Sequence, residues 1–198
     1  MNEIAKGVKE VISISWPVIT LTVVILMVLR IGHIIKYKEK FVFHQEFLSF
    51  VFIVYILCLF QLVTNQDLPG EHGINIIPFR EIGRYTIGSR LFFRNVVGNI
   101  ILFMPFGFLT SYYLDLEKKR YNFFMTLFIA TIIEFIQVSI GRAFDIDDIL
   151  LNVAGSFIGC LLYRLIDRIF ENKSEVLKGN VTIAIMLLMT FGLLLVIL

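Results

Sequence analysis

Uncharged apolar runs dominate the chain, and polar residues fall between them or at their ends. Against the roughly 20 residues an α-helix needs to cross a bilayer, the stretches 11–29, 47–66 and 95–114 are long enough. The stretch 121–140 also qualifies, apart from one acid, Glu134. Residues 149–163 make a shorter run, which puts its polar N-terminal turn at the interface, and 181–198 closes the chain. No strand-period alternation or internal repeat competes with helices, and a bilayer admits only helices or closed barrels. The pattern predicts an all-α, polytopic transmembrane helical bundle of about six spans (five to six). Residues 1–66 would supply two helices with a basic connection. Residues 67–178 would form a core of outer loop, three helices and polar turn, and 179–198 a last helix. No small-residue cleavage site follows a short apolar core near the N-terminus, so the first run reads as a retained span.

Composition sharpens this picture. Hydrophobic residues make up 58% of the chain and mean hydropathy is +0.84, too apolar for a soluble domain. A formal charge of +2 argues for no nucleic-acid partner, so the placement of charge matters more than its sum. Cys58 and Cys160 lie inside apolar runs without CxxC or Cys/His spacing, which reads as inert packing.

Lys36, Lys38 and Lys40 follow the first run, Lys118, Lys119 and Arg120 the third, and Arg164, Arg168, Lys173 and Lys178 the fifth. With Arg30 they place eleven basic residues on one face against seven on the other. The positive-inside bias makes the first face cytoplasmic and turns both termini and the 67–94 loop outward. That loop carries Asn75-Ile76-Ile77-Pro78-Phe79-Arg80, then Arg84, Arg90 and Arg94 interleaved with Tyr85, Leu91, Phe92 and Phe93. Its composition suits a segment lying among headgroups, with membrane lipids as its partners.

Antiparallel neighbours bring the start of the third helix, the end of the fourth and the start of the fifth to one face. At 1.5 Å per residue, Asn99 and Asn152 each lie about 6 Å inside their helix ends, and Glu134 about 9 Å inside its own, with Gln137 nearer the end. Arg142, Asp145, Asp147 and Asp148 sit just above, and the Asn75–Arg80 segment enters from the same side. An acid in a span costs about 3 kcal/mol or more facing lipid, so Glu134 should face the bundle. Arg142 is its nearest partner by chain geometry. Glu134 then reads as a ligand-binding or proton-handling carboxylate, or as a buried contact that fixes packing.

Gln137 shares the Glu134 face and suits an interhelical hydrogen bond. Asp145 suits a helix N-cap with Asp148 as the reciprocal N3 residue. The three aspartates lack the ligand ladder of a calcium loop, and no metal or cofactor is expected. Asn152 projects on the face of Asp148, and Gly155 and Gly159 make a small-xxx-small face for close helix approach. Pro105 and Gly107 predict a kink.

These residues together resemble the VanZ-like family of bacterial membrane proteins. The resemblance rests on Asn75-Ile76-Ile77-Pro78-Phe79, on Asn99 through Phe103-Met104-Pro105-Phe106-Gly107, and on Glu134-Phe135-Ile136-Gln137. It is completed by Arg142 with Asp145-Ile146-Asp147-Asp148 leading to Asn152-Val153-Ala154-Gly155. Order and spacing over about residues 75–163 make it specific. The family takes its name from a protein that gives low-level resistance to teicoplanin, a lipid-tailed glycopeptide, without altering the precursor that vancomycin binds. The resemblance implies a link to antibiotic or envelope stress in a bacterial cytoplasmic membrane, and it supplies no catalytic residue.

Several enzyme classes lack their residues. His33 and His44 fall on the inferred cytoplasmic side and His72 alone in the outer loop, and there is no HExxH, phosphate loop or GxSxG elbow. No catalytic residue is therefore assigned, with Glu134 the base if a reaction occurs. The favoured expectation is a non-catalytic protein whose outer pocket engages an amphiphilic envelope ligand, a lipid-linked wall precursor or a lipoglycopeptide. The ligand-binding residues would be Asn75, Arg80, Asn99, Glu134, Gln137, Arg142, Asp145, Asp147, Asp148 and Asn152. The alternatives are an enzyme on a lipid-linked wall intermediate and a helix-docking scaffold of a wall-synthesis complex.

Overall fold

A computed structural model of the chain describes residues 2–64, 73–114 and 119–197. His72 and Lys118 lie outside the described residues, and the side chains of Lys6, Lys9, Lys119 and Arg120 are likewise not described. The described residues form six long helices, five of them long and apolar enough to cross a membrane. The helical membrane bundle expected from the apolar pattern is what the chain forms.

The chain divides into two compact units, 1–65 and 66–197. The first holds α1 (Asn2–Tyr37) and α2 (Phe43–Thr64). Lys38, at φ 52, turns the chain between them. Arg30 of α1 grips Glu46 of α2 with both prongs, Nη2 to Oε1 at 2.8 Å and Nε to Oε2 at 3.0 Å. This planar fork is the geometry that suits arginine to carboxylates.

The second unit contains β1 (Ile74–Asn75), α3 (Arg90–Leu114), α4 (Lys119–Ser139), β2 (Phe144–Asp145), α5 (Ile146–Ile169) and α6 (Glu175–Ile197). The last helix, expected over 181–198, starts earlier and carries Glu175 and Lys178 in its first turns. Lys178 forms an ion pair with Asp167 of α5. The two short strands are a departure from the all-helical expectation. They pair in parallel, Ile74 opposite Phe144 and Asn75 opposite Asp145, and two residues are too few to show a period.

α3 and α5 are the packed centre of this unit. Phe103, Phe108 and Leu109 of α3 are fully buried, with Ile149 and Cys160 of α5 almost so. Backbone contact brings the two helices together. A methyl group at Gly155 would overlap the carbonyl of Ile100, one at Gly159 the carbonyl of Met104, and one at Gly107 the carbonyl of Ser156. The glycines therefore meet the backbone of the facing helix, as small residues do where membrane helices touch. α3 opens on Ser89, whose Oγ accepts from the amide of Phe92 at 3.1 Å, and runs through a π turn at Phe93–Val97 before continuing as Gly98–Leu114 through Pro105.

A second polar layer lies at the far end of this packing, which the sequence pattern did not single out. Asn122 of α4 donates to Thr110 Oγ1 at 2.7 Å, and Ser156 donates to Asn122 Oδ1 at 3.0 Å. Thr126 Oγ1 and Ser156 Oγ are 2.7 Å apart. All are buried, and each satisfies a neighbour where no water competes.

Candidate functional site

Asp147, in the first turn of α5, decides how the outer segment is held. Its side chain is 1% exposed. Oδ1 accepts from the amide of Phe79 at 2.5 Å, and Oδ2 from the amides of Glu81 at 2.8 Å and Ile82 at 3.1 Å. A carboxylate that receives backbone N–H groups makes bonds about twice as strong as neutral ones. The turn after Pro78 needs this support, because Phe79 sits at φ 65, a left-handed conformation that non-glycine residues rarely adopt.

Asp145 caps the same helix. It has extended backbone, φ −133 and ψ 115, and its Oδ1 accepts from the amide of Asp147 at 2.9 Å. The N-cap expected from the sequence is therefore present, but Asp148 is not its reciprocal. Asp148 Oδ1 instead accepts from Asn99 Nδ2 of α3 at 2.6 Å. Asn75 Nδ2 donates to Asp145 Oδ1 at 2.8 Å while its own Oδ1 accepts from the amide of Ile77 at 3.2 Å. Burial raises the Asp145 carboxyl above its ordinary range, against the pull of the Asp147 amide and Asn75.

Glu134 is fully buried on α4. Its Oε2 accepts from the amide of Asp145 at 3.0 Å. Arg142, its expected partner, does not reach it directly, because Gln137 stands between them. With the Gln137 amide oriented to satisfy both neighbours, its nitrogen donates to Glu134 Oε1 at 2.6 Å and its oxygen accepts from Arg142 Nη1 at 2.6 Å. The interhelical bond expected of Gln137 is not what forms: its partners are Glu134 on its own helix and Arg142 in the turn after it, and the amide relays one to the other.

This relay predicts a specific failure. In Glu134→Gln the one remaining oxygen must serve the Asp145 amide, so the new NH2 faces the Gln137 nitrogen. Turning Gln137 round only moves the donor clash to Arg142. One bond is lost either way, a cost of about 1–3 kcal/mol. Adding Gln137→Glu should recover most of it, since a glutamate there accepts from both sides. Thermal unfolding of the four purified proteins checks this, and purely additive losses would contradict the relay.

Asn152 lies one turn below Asp148, 4% exposed, and its Oδ1 has no hydrogen-bond partner among the described residues. Arg80 is exposed on the rim, and Arg84 is paired with Glu81 at 2.5 Å. Around them Ile74, Ile76, Phe79, Ile87 and Phe93 are exposed apolar side chains. The residues singled out from the sequence thus fall into two groups. Asn75, Asn99, Glu134, Gln137, Arg142, Asp145, Asp147 and Asp148 interlock, whereas Arg80 stays on the surface and Asn152 is buried with one unpaired atom. Among the described residues, no three His, Cys, Asp or Glu side chains form a group that could hold a metal ion.

A family model described as VanZ/LLP1 matches residues 47–167, which include every residue of this cluster. The chain is 31% identical over 109 residues to Protein VanZ of Enterococcus faecium. That alignment covers 52% of this chain and 60% of that protein, so the chain spans less than two thirds of the relative's length. No solved structure matches the chain.

Proposed function

The chain belongs to the VanZ-like family, and from that membership we propose that it is a non-catalytic receptor for an amphiphilic envelope molecule, acting in resistance to lipid-tailed glycopeptides. The observation that carries this reading is the way the acids are used. Asp147 is consumed in fixing the Phe79–Ile82 turn, and both oxygens of Glu134 already hold donors. A general base needs an oxygen directed at a substrate proton, and the geometry of Glu134 favours anchoring instead. What Asp147 anchors is the Phe79–Ile82 edge of a collar of exposed arginines and apolar side chains, Arg80, Arg84, Arg90 and Arg94 among Ile77, Phe79, Leu91 and Phe93. Guanidinium groups pair bidentately with phosphate or carboxylate, and the apolar neighbours suit an acyl chain. The Lys/Arg bias supports an extracytoplasmic position for this end in the cytoplasmic membrane, where a lipid-linked wall precursor or a lipoglycopeptide would meet it.

The test is growth inhibition of a susceptible Gram-positive host that expresses the wild type or the Arg80→Ala/Arg84→Ala variant at matched membrane levels. The wild type should raise the inhibitory concentration of teicoplanin several-fold and leave that of vancomycin unchanged, and the variant should lose most of the protection. Equal protection against both drugs, or none from the wild type, would overturn the proposal.

A further inference from the structure

We infer that the Asp148–Asn152 face of α5 binds a primary ammonium group. This rests on the receptor reading above and adds the chemical group recognised beneath the collar. Two observations carry it.

The first is the unpaired oxygen. Asn152 is 4% exposed and its Oδ1 receives no hydrogen bond from the described residues, whereas buried acceptors in native proteins are almost always satisfied. It lies four residues after Asp148, so both side chains rise from one helix face, one turn apart, with about 5–6 Å between their Cβ atoms. That face also carries Gly155 and Gly159 and is turned toward α3. A donor that serves both oxygens would lie about 2.8–3.0 Å from each. A group that serves both oxygens carries at least two N–H or O–H bonds.

The second observation is charge. Glu134, Asp145, Asp147 and Asp148 converge here, and among the described residues Arg142 is the one base bonded into the cluster, through Gln137. Three of the acids are well served by donors: Asp147 by three amides, Asp145 by Asn75 and the Asp147 amide, and Glu134 by Gln137 and the Asp145 amide. Asp148 has one hydrogen bond among the described residues, from the neutral amide of Asn99. Tyr85, hydrogen-bonded to Asn95, also faces Asp145 and Asp148 and adds no positive charge. Arg142 also acts on Asp148, but one base does not balance four acids, so water would satisfy Asn152 and leave the excess charge of the cluster. A quaternary ammonium would bring charge without an N–H. A primary ammonium brings both, with three donors on one compact cation.

The experiment follows thermal unfolding of the full chain in detergent with ethanolamine, choline or sodium chloride at equal ionic strength. It is repeated in phosphatidylglycerol nanodiscs with added phosphatidylethanolamine or phosphatidylcholine. Ethanolamine should raise the unfolding midpoint by several degrees, and choline and sodium should not. Asn152→Leu should start at a higher midpoint, because it removes the unpaired oxygen, and should lose the ethanolamine response. Asp148→Asn should lose it too. A response to phosphatidylethanolamine but not to free ethanolamine assigns the ammonium to a lipid headgroup, and a response to both assigns it to the amine itself. An equal response to choline or sodium, a response that survives Asn152→Leu, or no response to either amine overturns the inference. A chain that protects cells from teicoplanin without an amine response loses this site and keeps the receptor role. An amine response without protection does the reverse.

Discussion

Replacing Asp147 by alanine is expected to free the segment from Phe79 to Ile82 while leaving the spans inserted. Three amides would lose a buried carboxylate at once. Hydrogen bonds to a charged group are worth about 1.5–3 kcal/mol each. Part of the sum returns as the freed turn relaxes toward the headgroups, so the net loss should be about 4 kcal/mol. The Phe79–Ile82 edge of the collar depends on this anchor for its position, so under the proposed receptor function glycopeptide protection should disappear with it. Limited trypsin digestion of outside-out membranes gives the readout, because Arg80, Arg84, Arg90 and Arg94 all lie in or just after the segment. Cleavage there should be slow in the wild type and fast in Asp147→Ala. Asp147→Asn should fall between the two, since one oxygen remains to accept. Equal digestion of all three proteins would mean that something other than Asp147 holds the turn.

The second large effect is expected at Gly155. Alanine there puts a methyl group into the carbonyl of Ile100, and a backbone atom cannot rotate away as a side chain can. The helices must separate, which loosens the contact between α3 and α5 on which the second unit is built. Overpacking costs about 1–3 kcal/mol where neighbours can move, and a rigid backbone contact should put Gly155→Ala at the top of that range or above it. Gly159→Ala, against Met104, should behave alike. Gly32→Ala is the control. It lies within α1, has nothing within 4 Å of the added methyl, and should gain about 0.5–1 kcal/mol from the lower helix-folding entropy. Size-exclusion profiles after a heating series separate the outcomes. A Gly155→Ala protein as heat-stable as the wild type would contradict the close contact.

Much of this arrangement was legible from residue order, and the rest had physical reasons to be hidden. The helices announced themselves through apolar runs near bilayer length. Depth counting from helix ends brought Asn99, Asn152, Glu134 and Gln137 to one level with Asp145, Asp147 and Asp148 just above, and the structure bonds Asn99 to Asp148 and Glu134 to the Asp145 amide. Asp145 was readable as a cap because capping is local. Asp147 was not readable as an anchor, because its partners are main-chain amides, which every residue carries and no spacing marks. The interposed Gln137 depends on side-chain directions that helical spacing leaves open, so Arg142 was expected one step too close to Glu134. The layer of Asn122, Thr126 and Ser156 was silent for a further reason. Hydroxyls in membrane helices commonly bond back to their own backbone, as Thr126 does to Asn122, so their presence carries little information about neighbours.

The parallel pairing of Ile74–Asn75 with Phe144–Asp145 also sets an order of events. Its two halves are 70 residues apart, with α3 and α4 between them, and such a contact has a loop-closure cost that nearby contacts do not. During synthesis the earlier strand reaches the membrane surface two helices before its partner exists. The collar therefore cannot settle until α5 has begun to emerge, and only if α3 and α4 have crossed as an antiparallel hairpin. A chain in which either helix fails to insert would hold its two strands on opposite sides of the bilayer, with Asp147 facing no amides. The strand pair is thus completed late and only by a correctly threaded molecule.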